Sequence, residues 1–180
     1  QDICASGGYY IAVAADKIFV DKASIVGSIG VRMDGFGFEG IIEKIGVERR
    51  LITAGENKGI LDPFLPVSPK QSIFIKQLLD DVHQQFIDVV KQGRGDKLSA
   101  DPEIFSGLFW NGDRAITLGL ADEFGTVDSV ARNIVKSEEI VDFTVYDSFG
   151  DTLAEKIGAG IGGSIGHSFI KKIKENITLK

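Results

Sequence analysis

The chain has 180 residues, 43% of them hydrophobic, enough for one domain or slightly more with a real core. Net charge is −6 and the only basic cluster is Lys171, Lys172 and Lys174 in the tail, which argues against nucleic acid as a partner. No apolar run approaches the roughly 20 residues of a membrane span, no export-signal pattern opens the sequence, and Cys4, the only cysteine, rules out an intrachain disulfide.

Taken in order, the chain alternates helical and extended patterns, the habit of an α/β protein. It opens on the end of a strand, then Ala5-Ser6-Gly7-Gly8-Tyr9-Tyr10, where two glycines allow a sharp bend, and a helix is predicted over residues 8–15. Residues 17–21 read as a short buried strand, and residues 23–33, with Gly27, Ser28 and Gly30 among Ile and Val, as a second extended segment. Residues 38–45 read as an amphipathic helix with Gly46 at its C′ position, and residues 47–54 as the next strand.

The loop over residues 55–69 holds three prolines and is long enough to suggest function; Lys58 lies in it. The clearest helix is predicted over 69–92, with Ser68 as N-cap, Pro69 in its first turn, and a core face of Ile73, Leu78, Leu79, Val82, Phe86, Val89 and Val90. Gly93-Arg94-Gly95 ends it. There follow a turn at 100–106, an extended piece at 109–112, a helix at 113–118 stopped by Gly119, a strand-like run at 120–125, and a helix at 126–136 capped by Thr126 or Asp128. A last strand is predicted at 141–146. Residues 153–174 read as an amphipathic terminal helix, with docking on a partner subunit or a membrane surface as alternatives.

Ser6 carries the chemical question. At a helix start it reads either as an N-cap before turn glycines or as a nucleophile. A serine hydroxyl needs a base, and the two histidines offer little: His83, beside Gln84 and Gln85, reads as a surface or boundary residue, and His167 has no metal-binding partner. That turns the search to lysine, which acts as a base only when neutral. Around Lys58, Ile60 and Leu61 favour desolvation while Glu56 and Asp62 favour the charged form, and the sequence leaves the balance open. Ser28 likewise reads either as an edge-strand serine bonding backbone or as a site residue; Phe109, Trp110, Tyr9 and Tyr10 read as packing.

Three runs together resemble the signal peptide peptidase A family of serine peptidases: Ala5-Ser6-Gly7-Gly8-Tyr9-Tyr10, Val26-Gly27-Ser28-Ile29-Gly30-Val31, and the pattern Trp110, Gly112, Ala115, Gly119-Leu120-Ala121-Asp122, Gly125. The likeness covers about residues 1–145 and includes Asp62-Pro63-Phe64. The resemblance implies Ser6 as nucleophile, Lys58 as general base, Ser28 orienting that base and the Gly7 N–H as one oxyanion donor. Ile29, Gly30 and Val31 then form the substrate-binding stretch, favouring extended hydrophobic peptides such as leftover signal peptides.

It also implies an α/β fold of ClpP/crotonase type, a spiral of ββα units, and self-assembly into rings or domes in which neighbours sometimes complete a site. No cofactor or metal is implied. The family's upstream strands and glycine-rich turn are not among the 180 residues, so residues 1–145 read as a catalytic domain lacking its N-terminal half, and 146–180 as an extension for oligomerisation or a loosely ordered tail. Association with the bacterial inner membrane, with the site on the extracytoplasmic side, is implied only through segments outside this chain. Two alternatives stand: a crotonase-type acyl-CoA hydratase or isomerase, which shares the Ala-x-x-x-Gly-Leu-Ala-Asp pattern, and a non-catalytic assembly protein of the same fold.

Overall fold

The computed structural model describes residues 2–144. The chain divides into two compact units, Gln1–Glu138 and Glu139–Lys180, and the fold described here is that of the first. It is mixed α/β.

A three-stranded sheet places β3 (Ile25–Gly27) between β1 (Ile3–Ala5) and β4 (Phe109–Asn111). β1 runs parallel to β3 with Ile3 opposite Ile25 and Ala5 opposite Gly27; β4 runs antiparallel with Trp110 opposite Val26. Flanked on both edges, Val26 is fully buried. A second, two-stranded parallel sheet pairs β2 (Phe19–Val20) with β5 (Glu123–Phe124). The helices are α1 (Gly7–Ala12), α2 (Glu39–Lys44), α3 (Pro69–Arg94), α4 (Gly112–Thr117) and α5 (Val127–Val130). Tyr9, Val13, Val20, Val26, Ile29, Phe86, Val90, Ile104, Leu118 and Leu120 form the core between them.

α3 starts where its sequence says. Ser68 Oγ accepts the Gln71 N–H (3.3 Å) and Gln71 Oε1 accepts the Ser68 N–H (3.0 Å), a reciprocal cap with Pro69 at the first position. Its end lies two residues beyond the expected Gln92, because Gly93 is a packing glycine and not a stop. A Cβ there would lie 2.4 Å from the Val13 carbonyl oxygen, so only glycine lets α3 pass the end of α1. Arg94 is thereby carried into the interior before the helix closes at Gly95. The predicted core face is realised toward its end, where Phe86 and Val90 are buried; Ile73, Leu78 and Val82, nearer its start, are exposed.

The other capped helices also follow local chemistry. Asn111 Oδ1 accepts the Arg114 N–H at the start of α4 (3.0 Å). Thr126 and Ser129 cap α5 reciprocally, so Thr126 and not Asp128 is the N-cap, and the predicted continuation to Lys136 is a wider π-helical turn over Ala131–Val135. Gly119 has φ +75°, and a Cβ on it would lie 1.9 Å from the Lys97 carbonyl oxygen, which is why α4 stops there.

Among the described residues, no strand forms at 47–54 or at 141–144, and three expected strands are shorter: 17–21 pairs only over Phe19–Val20, 120–125 only over Glu123–Phe124, and 23–33 only over Ile25–Gly27. Residues 47–54 have strand-like composition but pair with no strand among the described residues, and Ile52 is 95% exposed. A strand exists through its ladder, and here Arg49 instead bonds Asp62 in the following loop (2.7 Å). Residues 141–144 form no strand: Asp142 Oδ1 accepts the Thr144 N–H in a local turn (2.8 Å). The rest of that predicted strand, the tail helix at 153–174 and His167 lie outside the described residues. In 23–33 the strand is confined to Ile25–Gly27, because Ser28 turns the chain with φ 53°.

Candidate active site

The Ala5–Gly27 pair closes the parallel ladder of β1 and β3, so the next residue on each strand, Ser6 and Ser28, occupies the matching position at adjacent carboxyl ends. Such ends are where open α/β sheets present ligand-binding groups. Both serines are left-handed, with φ 51° at Ser6 and φ 53° at Ser28. A non-glycine residue in that region costs on the order of 1–3 kcal/mol and persists only when its surroundings dictate it.

The surroundings here are explicit. The Ser6 N–H donates to the Gly27 carbonyl (2.8 Å) and the Tyr10 N–H donates to the Ser6 carbonyl (3.0 Å), pinning Ser6 to β3 on one side and α1 on the other. The Ser28 N–H donates to the Leu108 carbonyl (2.7 Å). Ser6 is exposed and its hydroxyl caps no helical N–H, so a sharp strand-to-helix turn presents a side-chain oxygen outward, as in a nucleophile elbow. Gly7 opens α1, where the first N–H groups have no partner within the helix.

An open cleft of about 830 Å³ lies over the two serines. Ser6, Gly7 and Tyr10 form one side, Ser28, Gly30, Val31 and Arg32 the second, Val82, Gln85 and Phe86 of α3 the third, and Ser106 with Gly107 the end. Tyr10 packs its ring on Phe86 (5.2 Å between centroids), so this wall is aromatic and apolar with the Tyr10 hydroxyl and Gln85 amide at its rim. Val31 and Gly30 face the cleft. Ile29 differs from the expectation: the residue is fully buried and does not line the cleft, because its side chain belongs to the core and its carbonyl oxygen lies 3.1 Å from His83 Nε2. His83 is thus a half-buried boundary residue behind the 28–31 stretch.

Lys58 stands elsewhere. It sits in a tight turn, with its N–H on the Gly55 carbonyl (3.1 Å), it is exposed, and it is not among the residues lining the cleft. The two neighbouring carboxylates have other cations: Glu56 pairs with Lys70 (3.1 Å) and Asp62 with Arg49 (2.7 Å). The Arg49 hydrogen bond, then the Phe64 N–H, hold the Asp62 carboxyl below its ordinary range. Burial pushes the Cys4 thiol up, keeping it an inert neighbour on β1.

A profile described as "Peptidase family S49" matches residues 1–141. The chain belongs to peptidase family S49. The three motifs resembling signal peptide peptidase A therefore mark a true membership. Relatives of this S49 chain include the "Serine protease SPPA, chloroplastic" of Arabidopsis thaliana, 31% identical over 92% of this chain and 25% of its own length. "Protease 4" of Haemophilus influenzae is 31% identical over 77% of the chain and 22% of its own length. A Brucella abortus protein named "Na(+)/H(+) antiporter NhaA" is 51% identical over 73% of the chain, a stretch that is 18% of that protein. The S49 chain spans a quarter or less of the length of these three relatives.

Tyr10, Arg32, Gln85, Phe86, Ser106 and Gly107 escaped the sequence reading of the cleft. Only the pairing of Ser106 with a left-handed Gly107 (φ 87°) left a local signal, that of a turn; Tyr10, Gln85 and Phe86 face the cleft through the packing of α3 on α1, and Arg32 follows Val31 along the same wall.

Proposed function

We propose that this chain is the serine-bearing part of a serine endopeptidase with a Ser/Lys dyad, built on the ClpP/crotonase spiral and acting on extended hydrophobic peptides such as cleaved signal peptides. The observation that carries this is Ser6: an exposed serine in a costly left-handed turn, facing a cleft beside a second serine at the matching register position.

In this reading Ser6 Oγ attacks the scissile carbonyl while the neutral Lys58 amine takes its proton. Ser28 orients the lysine, and the Gly7 N–H stabilises the oxyanion. The resulting ammonium returns the proton to the leaving amine, giving an ester on Ser6; water, deprotonated by Lys58, hydrolyses it. The peptide lies extended along Gly30 and Val31. Because Lys58 is outside the cleft lining, the dyad requires either a movement of the loop that bears it or a lysine from a neighbouring copy in a ring or dome. Glu56 and Asp62 are each paired with a cation other than Lys58, which supports its role, since a carboxylate partner of its own would favour the charged lysine.

The antiporter name of the Brucella relative is not carried over. The shared stretch is 18% of that protein, and among the described residues no helix is long and apolar enough to cross a membrane.

The test is hydrolysis of a hydrophobic fluorogenic peptide by the whole protein across a pH series. Ser6→Ala and Lys58→Ala are each expected to lose about 10⁴-fold or more in kcat, and the unmodified enzyme to gain activity with rising pH as its base deprotonates. Undiminished turnover in either variant removes that residue from the mechanism. Tight coenzyme A binding without peptide cleavage would favour the hydratase reading instead.

A further inference from the structure

We propose that Tyr9 is the positioning residue of the Ser6 turn, acting through a buried hydrogen-bond cluster at the turn between α4 and β5; this rests on Ser6 being the nucleophile. α1 is only six residues long, and it must hold Ser6 in a conformation that serine does not choose. Apart from the half-buried Tyr10, whose ring packs on Phe86, and Ala12, its other side chains give it little hold. A Cβ added to Gly7 or Gly8 would touch nothing within 4 Å, and Ile11 is 76% exposed. Tyr9 is the one fully buried residue of α1, and it lies just under one helical turn beyond Ser6.

The Tyr9 hydroxyl donates to the Leu120 carbonyl (2.8 Å). The preceding carbonyl, Gly119, accepts from Arg94 Nε (2.6 Å), and Arg94 Nη1 bonds Asp122 (2.9 Å). Asp122 also accepts the Ile18 N–H (2.7 Å) and pairs with Lys97 (2.7 Å). Two successive carbonyls of one turn are thus held by side chains from α1 and α3, and the turn itself is fastened to the start of β2. Burial, the largest influence, pushes the Tyr9 phenol well above its ordinary range, so the hydroxyl stays a donor. Rotating or sliding α1 would strand the buried Leu120 carbonyl, so the tether fixes the helix about its axis and the serine with it.

The make-up of the cluster argues for position over stability. Arg94 is 2% exposed, and its Nη2 finds no acceptor among the described residues. An apolar core of the same volume would serve stability as well or better.

The experiment uses the whole protein and the hydrophobic fluorogenic peptide, comparing Tyr9→Phe with Ser6→Ala and with Ile104→Val, a modest trim in the core. Tyr9→Phe keeps the ring and removes the tether. The expected result is a kcat lowered about 10- to 100-fold, the effect of a small misplacement of a reacting group, with KM within twofold. Ile104→Val keeps its kcat, and Ser6→Ala is inactive. Phosphonylation of Ser6 by a fluorophosphonate slows in step with kcat in Tyr9→Phe. Tyr9→Phe with normal kcat, while Ser6→Ala is inactive, overturns the positioning role and leaves the nucleophile standing. Equal losses in Tyr9→Phe and Ile104→Val, tracking their unfolding midpoints, also overturn it. An active Ser6→Ala overturns the functional reading and this inference with it.

Discussion

The floor of the cleft and the 31–68 segment are built on opposite principles. On the floor, every conformationally costly residue is met by a specific partner: Ser6 by Gly27 and Tyr10, Ser28 by Leu108, and the helix behind them by Tyr9 on Leu120. In residues 31–68 no side chain is buried, and Phe36, Ile41, Ile45, Val47 and Ile52 are exposed. Its order comes from a small aromatic contact of Phe38 with Phe64 (5.7 Å between centroids), from the Phe38 N–H on the Pro63 carbonyl (2.6 Å), and from surface ion pairs. The candidate nucleophile lies on the first region and the candidate base on the second. A rigid serine and a mobile or externally supported lysine would make activity depend on whatever brings Lys58 to the cleft.

Stability measurements can break this comparison. The largest effect belongs to Asp122→Ala, which leaves the Arg94 guanidinium buried without its carboxylate and is expected to cost about 3–5 kcal/mol in urea unfolding. Acid tests the same contact. Desolvation pulls the Asp122 carboxyl up, but the hydrogen bonds from Arg94, Lys97 and the Ile18 N–H outweigh it and hold the group well below the usual carboxylate range. Its contribution is therefore complete above the unfolded value of about 4 and lost as pH falls below it. The acid loss should shrink in Asp122→Ala; an unchanged pH profile would dissociate Asp122 from it.

The smallest effect is expected in the other region. Ile52→Ser should move the unfolding free energy of the isolated chain by no more than about 0.5 kcal/mol, since Ile52 is 95% exposed. A loss above about 1 kcal/mol would mean that residues 47–54 are packed after all, and the contrast would dissolve.

What the sequence disclosed follows the same division. Ser68, Pro69 and Gln71 announce the start of α3 because a cap is made by residues three apart, and Ser6-Gly7-Gly8 announces a turn because the glycines are adjacent to it. Gly93 reads as a helix stop because its neighbour, Val13, is 80 residues away in sequence and contributes only through tertiary contact. Residues 47–54 read as a strand because composition reports fitness for a sheet and not the presence of a partner edge. The cleft was half legible for the same reason: Ser6, Ser28, Gly30 and Val31 lie in local motifs, whereas Gln85 and Phe86 reach it only once α3 packs on α1.

The most direct test of the central claim, that the Ser6 turn presents a nucleophile, is to treat the whole protein with a fluorophosphonate and map the adduct by mass spectrometry of its peptides. The account predicts a single stoichiometric adduct on Ser6, abolished in Ser6→Ala and formed faster as pH rises. An adduct on Ser28 or Ser106, or peptide cleavage that continues with Ser6 unmodified, would contradict it.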